Sequence, residues 1–354
     1  MRSSMQQTLQ VLKRATLGGL QSAGVYLVLG NSTWRRNRLL ILCYHGISIE
    51  EEHHWRPSLF MSLPDFRARM QMLERGKYNV LPLGEAVDRL YAGDLPERSV
   101  AITFDDGNFD FYQQAFPLLR EHGFPASVYL HSYYCINQYP IFRLICSYML
   151  WKQRGRVVST RALTGAEMTL DLRTGAGRSR AEQELLRLAE DRAMSPEERE
   201  QLAAALAGVI GVDFAALRAK RVLQLMNPEQ VAEVAAAGME IELHTHRHIS
   251  PVDETLYRDQ IRENREVIEN IVGRRPVHFC YPSGNHKPEF LPWLRAEEVV
   301  SATTCTPGIA HRGCDPLLLP RLVDHGGVSA IEFAGWLSGA AAYLPHRKYV
   351  SRDA

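Results

Sequence analysis

Short apolar runs alternate along this chain with longer segments in which apolar residues recur at helical spacing. Eight runs are rich in Val, Ile, Leu and Tyr and have the length of buried strands. They cover residues 38–44, 78–82, 99–104, 126–130, 239–244, 277–281, 298–304 and 317–323. Because helical segments separate most of these runs, each helix is expected to return the chain to a parallel strand. The pattern therefore predicts an α/β fold.

The sequence marks the first residues of two of the intervening helices. Asn227 followed by Pro228 predicts one start, and Ser250 followed by Pro251 predicts another, with Asp253 at the capping-box position. About eight strands alternating with helices favour a (β/α) barrel of about seven to eight parallel strands. An open doubly wound sheet is the alternative.

Residues 141–226 break this rhythm, because they carry Ala, Glu, Arg and Leu at helical spacing without a clear strand. We interpret them as a helical insertion between the fourth and fifth strands. The insertion then belongs to one main domain, residues 38–335. An N-terminal helical segment, 1–37, precedes this domain, and a C-terminal tail, 336–354, follows it.

The N-terminal segment contains an apolar stretch, ATLGGLQSAGVYLVLG at 15–30, followed by the basic run WRRNR. The stretch holds Gln and several Gly, is shorter than the about 20 residues of a membrane span, and lacks a small-residue cleavage site after it. We interpret it as an uncleaved helix in peripheral contact with a membrane surface, with a weak signal anchor as the alternative. The expected location is cytoplasmic or membrane-associated.

The charges are nearly balanced, with 41 Lys and Arg against 40 Asp and Glu. The chain therefore lacks the net positive charge that would indicate a nucleic acid partner. A neutral or mixed-charge substrate fits better. The six cysteines are scattered without a CxxC pair, which favours buried free thiols over disulfides or zinc ligands and a reducing compartment.

Polar residues stand where the predicted strands end. They are Tyr44 and His45 after the first run, Asp105 and Asp106 after the third, His131 after the fourth, His244 after the fifth, and YPSGNH (281–286) after the sixth. In a parallel barrel, the loops that follow the carboxyl ends of the strands all lie at the same open end of the barrel, its mouth. These side chains are therefore expected to meet there.

The stretch ELHTHRHIS, 242–250, supplies three histidines in five residues. His244 and His248 are four apart, so a helical turn or a tight loop could direct both imidazoles to one point. A cation held by one of the adjacent carboxylates would relieve their repulsion and leave the other free as a base. A chance surface cluster of histidines and an Asx turn or helix N-cap at the strand exit are the alternatives. The joint occurrence favours a metal site.

TFDDG (103–107) followed by HTHRH (244–248), which fits His-Thr-x-x-His, resembles the polysaccharide deacetylases with NodB homology, carbohydrate esterase family 4. The resemblance runs from CYHG (43–46) to LPRLVDHGG (319–327), most of the chain. FCYPSG (279–284) resembles the third motif of the exopolysaccharide-type members.

This resemblance implies a distorted (β/α) barrel and a divalent metal held by Asp106, His244 and His248. Zinc is the expected metal, with cobalt, nickel or iron as alternatives. Asp105 would be the general base for a metal-bound water that attacks the N-acetyl group of an N-acetylhexosamine residue in a polysaccharide. Three protein ligands leave open positions, as a catalytic metal requires.

The third motif also implies substrate contacts. The residues expected to bind substrate are Tyr281, Pro282, Ser283 and Gly284, together with His45. A backbone N–H near Ser283 is the candidate donor to the oxyanion. Thr245 is expected to orient the histidine loop, and His246 is expected to face solvent or to support the ligands.

Two positions depart from the family pattern. The commoner third motif has an arginine where Cys280 aligns, and Arg321 is the candidate replacement that would tune the base. The Leu-x-His motif that supplies the acid for the leaving amine is not present in that form, and His325 is a candidate for this role. Other candidates are His45, His131 and His286.

These departures keep a second hypothesis open, that of a catalytically weak or inactive glycan-binding component of a polysaccharide assembly system. A third hypothesis is another metal hydrolase on the same barrel, because one fold hosts many chemistries.

Overall fold

The computed structural model describes residues 2–165 and 167–344 of the chain. The strands within these residues are β1 (Leu40–Tyr44), β2 (Gly46–Ile47), β3 (Phe60–Met61), β4 (Asn79–Val80), β5 (Ser99–Phe104), β6 (Ser127–Leu130), β7 (Val157–Thr160), β8 (Met168–Asp171), β9 (Glu240–Leu243), β10 (His278–Cys280), β11 (Ser301–Thr303) and β12 (Leu322–Val323).

The helices of the same residues surround these strands. They are α1 (Arg2–Ser22), α2 (Val25–Gly30), α3 (Thr33–Arg36), α4 (Glu52–Trp55), α5 (Leu63–Arg75), α6 (Leu83–Ala92), α7 (Phe116–His122), α8 (Ser132–Asn137), α9 (Phe142–Lys152), α10 (Gly175–Asp191), α11 (Pro196–Ile210), α12 (Phe214–Ala219), α13 (Pro228–Ala236), α14 (Glu254–Val272), α15 (Phe290–Ala296) and α16 (Ala330–Ser338). A π-helical turn, Phe111–Ala115, precedes α7, and 3-10 turns lie at Pro282–Gly284, Pro316–Leu318 and Ala340–Tyr343.

All eight predicted apolar runs contain a strand of one parallel sheet. Its order is β11-β10-β9-β6-β5-β1-β12, with β4 pairing on β5. The central strands β1, β5 and β6 are buried along their whole length, because their apolar side chains pack both inside the barrel and against the surrounding helices. The predicted α/β architecture is confirmed.

The segment that leads into β12 brings the two ends of the sheet together. Thr303 of β11 forms a parallel bridge to Leu319, and β12 pairs with β1 only three residues later. Residues 319–323 therefore contact both edge strands of the sheet. The result is the distorted (β/α) barrel that the sequence predicts, and the open doubly wound alternative is wrong.

Three boundaries differ from the sequence-based expectation. Residues 298–300 lie outside β11, because Glu298 adopts a positive φ of 56° in the turn after α15. Residues 316–318 form a 3-10 turn rather than part of a strand. The helix expected from Ser250 begins at α14, where Asp253 is itself the N-cap and accepts from Leu256 N–H. The helix start predicted at Asn227 and Pro228 is confirmed, and a capping box formed by Asn227 and Gln230 is present there.

The insertion at 141–226 has its own apolar core, formed mainly by α9, α10 and α11. The expectation that it lacks strands is wrong, because β7 and β8 pair as an antiparallel hairpin within it. Each of these strands has only four residues, half of them polar, and of the eight residues only Leu170 is buried, so no continuous apolar run marks them in the sequence.

The predicted N-terminal segment, 1–37, contains α1, α2 and α3, and α1 is separated from α2 at Gly24, whose φ is 74°. No helix within residues 2–165 and 167–344 combines the length and the hydropathy of a membrane span. Of the predicted C-terminal tail, residues 336–344 continue α16 and its 3-10 turn, and residues 345–354 lie outside the described part of the chain.

Candidate active site and metal centre

The two adjacent carboxylates lie at the carboxyl end of β5. Asp105 is buried, and its backbone N–H donates to Tyr44 O at 2.9 Å. Asp106 and Gly107 both have positive φ, 75° and 79°. A Cβ at position 107 would lie 2.3 Å from Leu130 Cδ1, so glycine is required in this turn. The tight turn gives the two carboxylates different neighbours.

His244 follows β9, and hydrogen bonds fix its orientation. Its backbone N–H donates to Asn264 Oδ1 at 2.9 Å, and its ring Nδ1 lies 2.8 Å from Cys280 O. The other ring nitrogen, Nε2, faces Asp106 Oδ1 at 3.3 Å. His248 Nε2 lies 3.4 Å from the same oxygen. The three predicted metal ligands therefore meet at one point.

A tight loop, not a helical turn, brings the two histidines together. Thr245 and His248 have positive φ values of 61° and 57°, and Thr245 Oγ1 accepts from Ile249 N–H at 3.2 Å. His246 is buried, and its Nδ1 lies 2.9 Å from Ser132 Oγ. Of the two positions predicted for His246, solvent-facing or supporting, the structure therefore shows the supporting one, with its ring outside the ligand group.

The donor set fits a small divalent cation. One carboxylate oxygen and two imidazole nitrogens lie within 4.8 Å of one another. Tetrahedral zinc with bonds of about 2.0–2.2 Å separates its ligand atoms by about 3.3–3.6 Å, which matches the separations from Asp106 Oδ1. Burial lowers the pKa of His248 to about 4, so its imidazole is neutral at neutral pH, as a metal ligand must be.

Asp105 forms a bidentate ion pair with Arg321. Arg321 Nη1 donates to Asp105 Oδ1 at 2.7 Å, Nη2 donates to Oδ2 at 2.8 Å, and both side chains are buried. Arg321 Nε is fixed in turn by Thr304 O at 3.0 Å. Burial alone would raise the pKa of Asp105, but the charge and hydrogen bonds of Arg321 hold it well below its usual range. Asp105 is therefore ionised at neutral pH.

Two thiols pack against this ion pair. The Sγ atoms of Cys43 and Cys280 each lie 3.4 Å from Asp105 Oδ2, and Cys280 Sγ lies 3.1 Å from Arg321 Nη2. Burial raises the pKa of both thiols well above its usual value, so both are neutral. A small residue at position 280 leaves the space that the Arg321 guanidinium occupies. All six cysteines are free, as predicted.

The candidate proton donors occupy different positions. His45, after β1, places Nε2 3.8 Å from Asp105 Oδ2. His325, after β12, has Nδ1 3.0 Å from Pro57 O, and burial lowers its pKa. His45 is therefore the candidate in direct contact with the predicted base.

The two remaining histidine candidates are less well placed for proton donation. The ring of His131 packs against that of His248 at a centroid distance of 5.2 Å, and burial lowers the pKa of His131 well below its usual value. His286 is exposed, and its Nδ1 lies 3.0 Å from Gly284 O.

The third motif follows β10 directly. Tyr281 is buried and its hydroxyl donates to Leu317 O at 2.9 Å, and Pro282 is buried beside it. Ser283 and Gly284 adopt positive φ values of 55° and 69°, and Gly284 N–H donates to Tyr281 O. The substrate contacts expected of these residues stay predictions.

Two polar residues of α14 support the histidine loop and were missed by the sequence reasoning. Asn264 accepts from His244 N–H and donates to Leu130 O, and Gln260 Oε1 accepts from Arg247 N–H. Both lie on the buried face of α14 with Tyr257, Ile261 and Ile268. Polar residues at helical spacing within an apolar stripe are the signal that could have identified them.

The geometry defines a class of protein. It is a parallel (β/α) barrel with one Asp and two His side chains grouped at the carboxyl ends of its strands. The family profile described as polysaccharide deacetylase matches residues 92–184 and 209–299, more than half of the chain. The chain therefore belongs to the polysaccharide deacetylase family. The predicted resemblance is confirmed, and the deacetylases of this family are hydrolases of the N-acetyl amide bond.

Individual relatives match only in part. The Bacillus subtilis protein YxkH is 37% identical over 94 residues, 26% of this chain and 32% of that protein. The poly-β-1,6-N-acetyl-D-glucosamine N-deacetylase of Staphylococcus epidermidis is 35% identical over 66 residues, 19% of this chain and 23% of that protein. The chain thus matches less than a third of the length of either relative.

The fold has solved counterparts. The structure of the Streptococcus pyogenes deacetylase PplD in complex with acetate superposes with a TM-score of 0.56 at 16% identity, over 87% of this chain and 99% of that one. At this identity the likeness concerns the fold alone.

Proposed function

We propose that this chain removes N-acetyl groups from N-acetylhexosamine residues of an exopolysaccharide or capsule-type glycan, with zinc held by Asp106, His244 and His248. The observation that carries the proposal is the contrast between two adjacent carboxylates. Asp106 faces two imidazoles, whereas Asp105 faces a guanidinium. Two neighbouring carboxylates with different partners have different chemical roles.

Zinc bound by the three ligands would polarise the acetyl carbonyl and increase the acidity of a water molecule beside it. Asp105 is ionised and buried at this position, so it accepts the proton of the attacking water. Arg321 fixes both carboxylate oxygens in place and keeps the carboxylate charged. It thereby takes the role predicted for it in place of the motif arginine.

Hydrolysis also requires a proton on the leaving amine, since the C–N bond otherwise releases an amide anion. His45 is our choice of donor, because its Nε2 lies next to Asp105 at the same mouth. The products are acetate and a free amine on the sugar. The backbone at Ser283 is the proposed donor to the oxyanion.

The first test is acetate release from N-acetylglucosamine oligomers, beginning with β-1,6-linked ones because the Staphylococcus epidermidis relative acts on that polymer by name. Zinc-loaded wild type is expected to release acetate, and Asp105→Asn is expected to lose about 10²–10⁴-fold in turnover because it cannot accept a proton. Bound zinc should remain in the variant, since Asp105 lies outside the proposed ligand group.

Asp110→Asn is the matched control. Asp110 is also a buried carboxyl, burial raises its pKa well above the usual value, and its side chain accepts from Ile47 N–H instead of facing a guanidinium or an imidazole. Wild type that holds zinc but releases no acetate from any N-acetylated oligomer would refute the proposal. Glycan binding that survives in Asp105→Asn without turnover in wild type would instead support the inactive binding protein.

The role of His45 has a separate test. His45→Gln is expected to lose about 100-fold in acetate release from the glycan, whereas hydrolysis of an aryl acetate ester should change little, because a phenolate leaves without protonation. Asp105→Asn should lose both activities. If His325→Gln shows the amide-selective loss and His45→Gln does not, the donor is His325.

A further inference from the structure

The N-terminal helices form one unit with the last helix of the described chain. Leu17 of α1 is fully buried in the main core, and Lys13 forms an ion pair with Glu332 of α16. The Tyr26 hydroxyl of α2 donates to Ile331 O at 3.2 Å. Residues 12–36 are therefore a fixed part of the domain surface.

This unit exposes apolar side chains. Leu12 is 62% exposed, Leu27 69%, Val28 72% and Tyr343 64%. The ring of Tyr343 packs against that of Trp34 at a centroid distance of 5.2 Å, and Arg38 lies over Trp34 at 4.2 Å. Apolar, aromatic and basic side chains of neighbouring helices therefore share this surface, which we name the N-terminal face: Leu12, Leu27, Val28, Trp34 and Tyr343.

The segment that forms most of the N-terminal face is basic, and two of its basic residues form ion pairs with acidic residues of other segments, Lys13 with Glu332 and Arg36 with Glu97. Six of the 41 basic residues and none of the 40 acidic residues lie within the first 49 positions. Among them, Arg14 and Arg36 are exposed. Because the rest of the chain then carries an excess of acidic residues, an anionic surface attracts this face and repels the remainder.

We infer that the N-terminal face docks on a bilayer containing anionic phospholipids. Leu27 and Val28 enter the boundary between headgroups and acyl chains, Trp34 and Tyr343 lie at headgroup level, and the basic residues neutralise lipid phosphates. The inference depends on surface residues only and is independent of the proposed deacetylation.

The experiment measures cosedimentation of the full chain with vesicles of phosphatidylcholine alone or with added phosphatidylglycerol. Wild type is expected to bind the anionic vesicles, to bind the neutral ones much more weakly, and to dissociate with added salt. Leu27→Glu with Val28→Glu should weaken binding at least about tenfold. Arg14→Gln with Arg36→Gln should weaken binding to the anionic vesicles only.

Val157→Glu with Val300→Glu is the matched control, because these valines are 48% and 50% exposed and lie outside the N-terminal face. It adds the same charge and should bind as wild type does. Circular dichroism of every variant reports folding. Absence of wild-type binding, or equal losses in the control, would overturn the inference. So would a wild-type dimer that Leu27→Glu with Val28→Glu dissociates while neither protein binds vesicles.

Discussion

Replacing His244 by alanine is expected to reduce bound zinc from about one ion per chain to almost none, and to reduce acetate release at least about 100-fold. Loss of a residue that only supports a ligand costs about 10–100-fold in metal affinity or activity, so loss of a ligand should cost more. His244 contributes one of the three donors of the proposed site, with Nε2 at 3.3 Å from Asp106 Oδ1. Elemental analysis of the purified protein measures the metal, and circular dichroism verifies the fold.

His246→Ala is the matched control, because the same loop provides a histidine two positions away whose ring contacts Ser132 instead. This variant retains all three donors, so we expect it to lose at most about 10–100-fold in zinc affinity and to keep far more zinc than His244→Ala does. Equal metal content in wild type and His244→Ala would contradict the site, as would a wild type that stays free of metal after incubation with zinc and cobalt.

Replacing Arg321 by methionine is expected to lower the free energy of unfolding by about 3–5 kcal/mol at neutral pH, because it leaves the Asp105 charge buried without its partner. Turnover should fall as well, since desolvation then raises the pKa of Asp105 and Arg321 no longer holds both carboxylate oxygens in place. Urea titration measures the stability, and acetate release measures the activity.

The pH dependence follows from the direction of the Asp105 shift. In wild type its folded pKa lies below the unfolded value of about 3.9, so its contribution to stability is complete above that pH and is lost as the pH falls toward the folded pKa. In Arg321→Met the folded pKa lies above the unfolded one, and Asp105 destabilises the fold increasingly as the pH rises above about 4. The stability difference between the proteins should therefore grow from acid toward neutral pH.

The double variant Arg321→Met with Asp105→Asn removes both charges and serves as the control. Its stability should exceed that of Arg321→Met at neutral pH, and its difference from wild type should depend less on pH. A difference that is the same at pH 4 and at neutral pH in Arg321→Met would show that lost packing, rather than the unpaired carboxylate, explains the destabilisation.

Local patterns in the sequence were sufficient to predict the strands, and together with the family resemblance they indicated the residues of the candidate metal group. The apolar runs are interior strands of a parallel sheet, so each has a continuous signature, and Asp106, His244 and His248 stand at strand ends that the barrel brings to one mouth. The hairpin β7–β8 could not be found in this way, because its strands are short, half polar and contain only one buried residue.

Contacts that depend on barrel closure were harder to predict. Asp105 and Arg321 are 216 residues apart, and they meet because residues 319–323 connect the two edges of the sheet. The motif suggested Arg321 as a partner, but nothing local in the sequence indicates that Cys43 and Cys280 approach the same carboxylate from β1 and β10. The choice of proton donor between His45 and His325 likewise depends on distances to Asp105, which the spacing of residues along the sequence does not provide.

Residues 319–323, which connect the two edges of the sheet, also determine when the barrel can close during translation. Asp105 leaves the ribosome 216 residues before Arg321 does. Until Arg321 arrives, burying the Asp105 carboxylate would cost several kcal/mol, so a nascent chain is expected to keep this end of the barrel hydrated. When residues 319–323 then insert, Arg321 pairs with the Asp105 carboxylate and β12 pairs with β1. The same step joins the two edges of the sheet and excludes water from this end of the barrel. The surroundings of the proposed base are thus completed only after residues 319–323 have been synthesised.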